Sequence, residues 1–174
     1  MFTPTRIKRK NTAMASIRLN SIEETYLLGG WLAKNLSTSN VNALFLHGPL
    51  GCGKTTLIRA LASNLSGAEN CEISSPSFTI YNSYPTNPPI VHCDLYRCQY
   101  SLPQDILVFS ENPKIILVVE WGEYYPEKYR PNESLDIFFK IENDSRCLTF
   151  VEHGEFANIL KEKIFLNFKN LQDI

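Results

Sequence analysis

The sequence predicts an α/β fold with a mixed sheet: a parallel core, extended by an antiparallel C-terminal hairpin and covered by helices on both faces. Three observations carry this reading. Residues 41–46 are a short apolar run that leads through a glycine-rich loop into a helical stripe of Leu57, Ile58, Leu61 and Leu65. Residues 115–119, Ile-Ile-Leu-Val-Val, are apolar without interruption, as expected of a strand buried beneath helices on both sides. Residues 135–141 and 147–152 are strand-like and flank Asn143-Asp144-Ser145, which reads as a hairpin turn.

The elements follow in order. Ser21-Ile22-Glu23-Glu24 has the form of a capping box, with Ser21 accepting from the first turn and Glu24 reaching back. The helix it opens is expected to bury Ile22, Tyr26, Gly29, Leu32, Ala33 and Leu36 and to end in the polar cluster 37–40. After the loop helix, Ser66 and Gly67 break the pattern, and a strand is expected over 78–84. Pro85, Pro88 and Pro89 mark an exposed loop before a short strand over 90–93 that ends in Asp94. A short helix is expected over 104–110, between Pro103 and Pro113. The strand at 115–119 ends on Glu120-Trp121-Gly122-Glu123, and Phe156, Ile159, Leu160, Ile164 and Phe168 outline a closing amphipathic helix.

Composition bounds the function. At 174 residues with 44% hydrophobic and 20% charged residues, the chain suits one globular domain, placed over 16–174. Residues 1–15 precede it as a basic extension, with Arg6, Lys8, Arg9 and Lys10, expected to be disordered. A net charge of -1 lacks the basic footprint of a protein that grips nucleic acid by its phosphates. Cys52, Cys71, Cys93, Cys98 and Cys147 are irregularly spaced, as free thiols of a reducing compartment are, and His92, Cys93 and Cys98 lack the second pair that a zinc site needs. No stretch has the length to cross a bilayer and the first residues lack the apolar core of a secretory signal, so the cytoplasm is expected.

The chemistry is concentrated in Gly48-Pro49-Leu50-Gly51-Cys52-Gly53-Lys54-Thr55-Thr56, which matches G-x-x-x-x-G-K-[ST] between a strand and a helix. Glycines let successive backbone N–H groups converge on a phosphate chain, and the following helix adds its positive end. Lys54 is expected to reach the β- and γ-phosphates and the Thr55 hydroxyl to coordinate Mg²⁺. The fold class then sharpens to a P-loop NTPase-like three-layer sandwich. A second acid for Mg²⁺ is expected at the carboxyl end of a neighbouring strand. Glu120 and Asp94 both qualify, and Glu120 is favoured because its strand reads as central. The hydroxyl cluster Ser74, Ser75, Ser77 and Thr79 occupies the place of a phosphate-sensing switch, although such a cluster around Pro76 also makes an ordinary turn. Trp121 is placed to shield a nucleotide, or simply to pack.

Four segments, G-P-L-G-C-G-K-T-T at 48–56, S-P-S-F at 75–78, H-C-D-L-Y-R at 92–97 and V-E-W-G-E at 119–123, together resemble the TsaE (YjeE) ATPase family over most of the chain. The resemblance implies an ATP- and Mg²⁺-dependent hydrolase of the bacterial system that makes threonylcarbamoyladenosine at position 37 of tRNA. It implies a protein that does not itself transfer the threonylcarbamoyl group. It works with a TsaD-type transferase and a TsaB-type partner, reset by ATP hydrolysis between turnovers, and meets tRNA only through that complex. On this basis residues 48–56 and Trp121 bind the nucleotide, Thr55 and Glu120 hold Mg²⁺, Ser77 is the switch hydroxyl, and Lys54, Asp94 and Glu120 support hydrolysis. Three positions depart from the family pattern: Pro49 stands for Asp, Cys52 for Ala, and Ser77 for the switch Thr. Serine keeps the hydroxyl of Ser77 but loses the methyl that restricts its rotamers. The competing readings are a nucleotide-gated binding module with negligible hydrolysis and a P-loop small-molecule kinase. The kinase lacks its arginine-rich lid, since Arg97, Arg130 and Arg146 are dispersed, and a GTPase lacks its D-x-x-G and N-K-x-D motifs.

Overall fold

The structure is a computed structural model and describes residues 16–69, 71–76, 79–98 and 102–168. The basic extension 1–15, Ser77 and Phe78 lie outside the described residues. The chain runs β1 (Ser16–Leu19), α1 (Ile22–Leu36), β2 (Ala43–His47), α2 (Lys54–Ala62), β3 (Tyr81–Tyr84), β4 (Ile90–Asp94), α3 (Gln104–Ser110), β5 (Ile116–Glu120), β6 (Ser134–Glu142), β7 (Ser145–His153) and α4 (Glu155–Phe168). Two short 3₁₀ turns, Gly122–Tyr124 and Glu127–Tyr129, join β5 to β6.

The strands form one mixed sheet in the order β1-β7-β6-β2-β5-β4-β3. Its core, β6-β2-β5-β4, is parallel, while β3 at one edge and the β7–β1 side at the other add antiparallel pairs. Side chains alternate along each strand and so feed two cores. Leu44 and Leu46 of β2 join Ile116 and Val118 of β5 under α1, α2 and α4. Ala43 and Phe45 join Leu117 and Val119 on the opposite face, where Ile106 of α3 closes the smaller core. The predicted three-layer arrangement with a parallel core and an antiparallel hairpin is the one observed. Among the described residues no helix is long and apolar enough to cross a membrane.

Several elements differ in detail from their predicted form. The four-residue edge strand β1 was not foreseen, because one Ile17–Leu19 alternation is too short a signal; both side chains are buried against β7 and α4. In α1, Ser21 accepts from the Glu24 N–H as predicted, but Glu24 reaches back to the Asn20 N–H at 2.6 Å, one residue beyond the cap. The buried face is Thr25, Leu28, Gly29, Leu32, Ala33 and Leu36, whereas Ile22 and Tyr26 are exposed. Thr25 can replace Tyr26 inside because its hydroxyl donates to the Ser21 carbonyl. In α4, Ala157 joins Leu160, Ile164 and Phe168, and Phe156 and Ile159 turn outward. Residues 79 and 80 are in a turn that closes on the Pro76 carbonyl, so β3 begins only at Tyr81.

Gly29 sets how closely α1 approaches α2. A Cβ there would lie 2.7 Å from the Ala60 carbonyl carbon and 2.8 Å from the Leu61 nitrogen, both backbone atoms that cannot yield locally. Gly29→Val should therefore lower stability by about 1–3 kcal/mol through overpacking. The expected result is a lower urea midpoint at unchanged slope; an unaltered midpoint would show that the two helices separate without cost.

The parallel register has one consequence for function. Leu46 of β2 and Asp94 of β4 are both register partners of Glu120 in β5, so the glycine loop and both candidate acids emerge at the same edge of the sheet.

Candidate functional site

The loop between β2 and α2 is built by its glycines. Gly48 has a φ of 137°, and a Cβ on it would sit 2.7 Å from the Phe139 carbonyl oxygen. Gly53, at the N-cap of α2, has a φ of 107° and carries no side chain to cap the helix, so the first-turn N–H groups of α2 face the loop. Arg146 of β7 braces the loop from outside by donating through Nε to the Cys52 carbonyl at 3.2 Å. Inside it, Cys52 is buried, and burial raises its thiol above the ordinary value despite the nearby Lys54 charge. Its thiol packs inside the loop, 3.8 Å from Lys54 Nζ. Pro49 supplies only a carbonyl, and Leu50 at the tip is 79% exposed.

Lys54 is folded across this loop. Its Nζ donates to the carbonyls of Gly48 at 2.7 Å and Pro49 at 3.0 Å and lies 4.2 Å from the centre of the Trp121 ring. Trp121 follows Glu120 and takes a left-handed backbone conformation, φ 60° and ψ 49°, which is uncommon for a bulky residue. That turn swings its ring off the strand direction, toward Lys54 and against Tyr96 at 4.9 Å. Gly51, Lys54, Thr55, Asp94, Glu120 and Trp121 are among the walls of one cavity of about 540 Å³.

The two candidate acids are held differently. Glu120 is buried, and its Oε1 accepts from the Thr55 hydroxyl at 2.6 Å and from His92 Nε2 at 3.0 Å. Asp94 is nearer the surface, where Oδ2 accepts from the Ser75 hydroxyl at 2.7 Å and Oδ1 from the Tyr96 N–H at 3.1 Å. The Thr55–Glu120 pair is an all-oxygen set suited to a hard cation. Among the described residues no group of three or more His, Cys, Asp or Glu could hold a metal unaided. Mg²⁺ differs from zinc in needing only one or two protein oxygens, its shell being completed by phosphate and water. Ser75 belongs to this wall and donates to Asp94, whereas the neighbouring Ser74 is tied through its carbonyl to the Tyr84 hydroxyl. Thr79 is turned to Asn82 instead, and Ser77 lies outside the described residues.

Behind the loop, on the α3 face of the sheet, lies a cluster that sequence reading missed. Asp136 of β6 is buried and accepts from Arg130 at 2.8 Å, from His153 at 2.6 Å and from His47, the last residue of β2. His47 bonds Glu123 through its other nitrogen at 3.1 Å, and Arg130 also donates to the Gly122 carbonyl at 2.8 Å. Burial alone would raise the Asp136 carboxyl, yet the His153 and His47 hydrogen bonds and the Arg130 charge outweigh it and hold it well below the usual range. Burial opposes charge on His47, but Asp136 and Glu123 more than offset that and raise it; His153 is raised chiefly by its bond to Asp136. These shifts are the same pair interactions seen from both ends. The cluster ties the start of the glycine loop to the 121–124 turn that carries Trp121. Its signal in the sequence was a lone carboxylate inside the apolar run 135–139.

Fold and loop together define an α/β protein of the P-loop NTPase-like type. The family model for "Threonylcarbamoyl adenosine biosynthesis protein TsaE" matches residues 19–157. A tRNA threonylcarbamoyladenosine biosynthesis protein TsaE from Nostoc sp. is 36% identical over 133 residues, spanning 71% of this chain and 76% of that protein. One from Rickettsia conorii is 35% identical over 143 residues, 79% of this chain and 78% of that protein. Among solved structures, Bacillus subtilis YdiB superposes with a TM-score of 0.68 at 27% identity, covering 91% of this chain and 99% of its own. The chain belongs to the TsaE family, which takes part in tRNA threonylcarbamoyladenosine biosynthesis.

Proposed function

We propose that this chain is the ATP-hydrolysing component of the threonylcarbamoyladenosine system, binding Mg-ATP at the 48–56 loop and resetting a TsaB–TsaD-type transferase between turnovers. The observation that carries this reading is the Thr55 hydroxyl held on the buried Glu120 carboxylate at 2.6 Å in the same cavity that Lys54 lines. Loop amides and the start of α2 bind the phosphate chain. Lys54 exchanges the Gly48 and Pro49 carbonyls for phosphate oxygens, a trade of neutral acceptors for charged ones that favours the bound state. Thr55 and Glu120 hold Mg²⁺, which supplies charge neutralisation on the phosphates when bound. Asp94, kept in place by Ser75 and the Tyr96 N–H, orients the attacking water, and the Trp121 ring covers Lys54 and limits solvent at the phosphates. Ser77 is proposed as the switch hydroxyl. The chain works in the cytoplasm, and its near-neutral charge leaves tRNA to its partners.

Phosphate release from ATP tests this. It should require Mg²⁺, rise when the TsaD- and TsaB-type proteins are added, and fall about 100- to 1,000-fold in Glu120→Ala, the range for loss of one preorganised electrostatic group. Wild-type turnover in Glu120→Ala would remove Glu120 from the site.

A further inference from the structure

We propose that His92 is a positioning residue for the metal-binding carboxylate of Glu120, fixing which of its two oxygens serves Thr55 and which is presented to Mg²⁺. The inference rests on the Mg-nucleotide reading above and deepens it.

His92 is fully buried in β4, where its register partner is the apolar Val118. A carboxylate oxygen only accepts, so the ring nitrogen bonded to Glu120, Nε2, is the donor of that bond. The other ring nitrogen, Nδ1, is buried and has no hydrogen-bond partner among the described residues. An aliphatic side chain would avoid burying that unpartnered nitrogen, so what the imidazole contributes at this position is its Nε2–H.

The Nε2–H meets the same Glu120 oxygen as the Thr55 hydroxyl. Two donors from different elements, β4 and α2, converge on Oε1 and fix the carboxylate plane, which leaves Oε2 as the oxygen for Mg²⁺ or its water. The imidazole is itself located by Tyr84, whose ring centroid is 6.5 Å away. The Tyr84 hydroxyl donates to the Ser74 carbonyl at 2.9 Å, next to the Ser75 that holds Asp94. His92 thus sits between the Glu120 carboxylate and the segment that fixes the second acid.

The test is a Mg²⁺ titration of nucleotide binding, read with a fluorescent ATP analogue and independent of turnover, on the wild type, His92→Leu, His92→Asn and His92→Gln. Gln can place an amide N–H where Nε2 stands, and Asn is too short to do so. The Mg²⁺ concentration at half-effect should rise about 10- to 100-fold in His92→Leu and His92→Asn, the usual cost of losing a partner of a metal ligand, and return to within about threefold of wild type in His92→Gln. Affinity for the metal-free nucleotide in EDTA should not change, which a merely structural role would not predict. A wild-type Mg²⁺ midpoint in His92→Leu overturns the proposal. Should that variant not fold, equal midpoints in His92→Asn and His92→Gln overturn it as well. A wild-type protein that binds no nucleotide at any Mg²⁺ concentration instead overturns the parent reading, and the proposal with it.

Discussion

Lys54→Ala is expected to weaken ATP binding by at least about 100-fold and to reduce phosphate release to background. A lysine charge shared between two phosphate groups makes charge-assisted bonds worth about 1.5–3 kcal/mol each, so losing two accounts for a factor of that size. The fold should survive. Lys54 bonds the loop carbonyls of Gly48 and Pro49 and the Cys52 thiol and rests on Trp121, contacts whose loss frees the loop without opening either core. Isothermal titration with Mg-ATP, alongside an unchanged far-ultraviolet circular dichroism spectrum, checks both halves. Binding at wild-type strength would mean that the loop carries the nucleotide without its lysine.

The second large effect concerns stability. Asp136→Ala should cost about 3–5 kcal/mol, because it leaves Arg130 buried without its carboxylate and strips His47 and His153 of their shared acceptor. The thermal midpoint should drop on the order of 10 °C. The cluster also predicts the pH profile. His47 and His153 are raised in the folded protein, so their contribution is complete below the ordinary histidine value of about 6.5 and is lost as pH rises through their higher folded values. Asp136 is depressed, so its contribution is complete above about 3.9 and is lost only as pH falls toward its folded value. Stability should therefore decline as pH rises above about 6.5, through the raised folded values of the two histidines, and Asp136→Asn should flatten that decline. A wild-type midpoint that rises over this interval would contradict the assignment.

The parts legible in the sequence were those encoded by local spacing. The 48–56 loop, the capping box at Ser21, the apolar run ending in Glu120 and the hairpin around Asn143 each lie within a dozen residues, and the structure places them as strand end, helix start, central strand and turn. That the strand ends carrying Glu120 and Asp94 meet follows from parallel pairing, so it too could be anticipated. What escaped depends on register across the sheet. His47, Arg130, Asp136 and His153 come from separate segments, and nothing in their spacing announces that β2, β6 and β7 bring them together. His92 appeared within H-C-D-L-Y-R, but only its bond to Glu120 distinguishes it from core. The outward turn of Tyr26 and Phe156 has the same origin, since periodicity finds a stripe but not which edge of it the neighbouring helix covers.

On the proposed function, nucleotide chemistry at the 48–56 loop drives tRNA modification on another protein. The most direct test of this is the threonylcarbamoyladenosine content of tRNA in cells whose own TsaE is depleted and replaced by this chain. The wild-type chain should restore the modification, and Lys54→Ala, expressed to the same level, should not. Equal restoration by both would contradict the account.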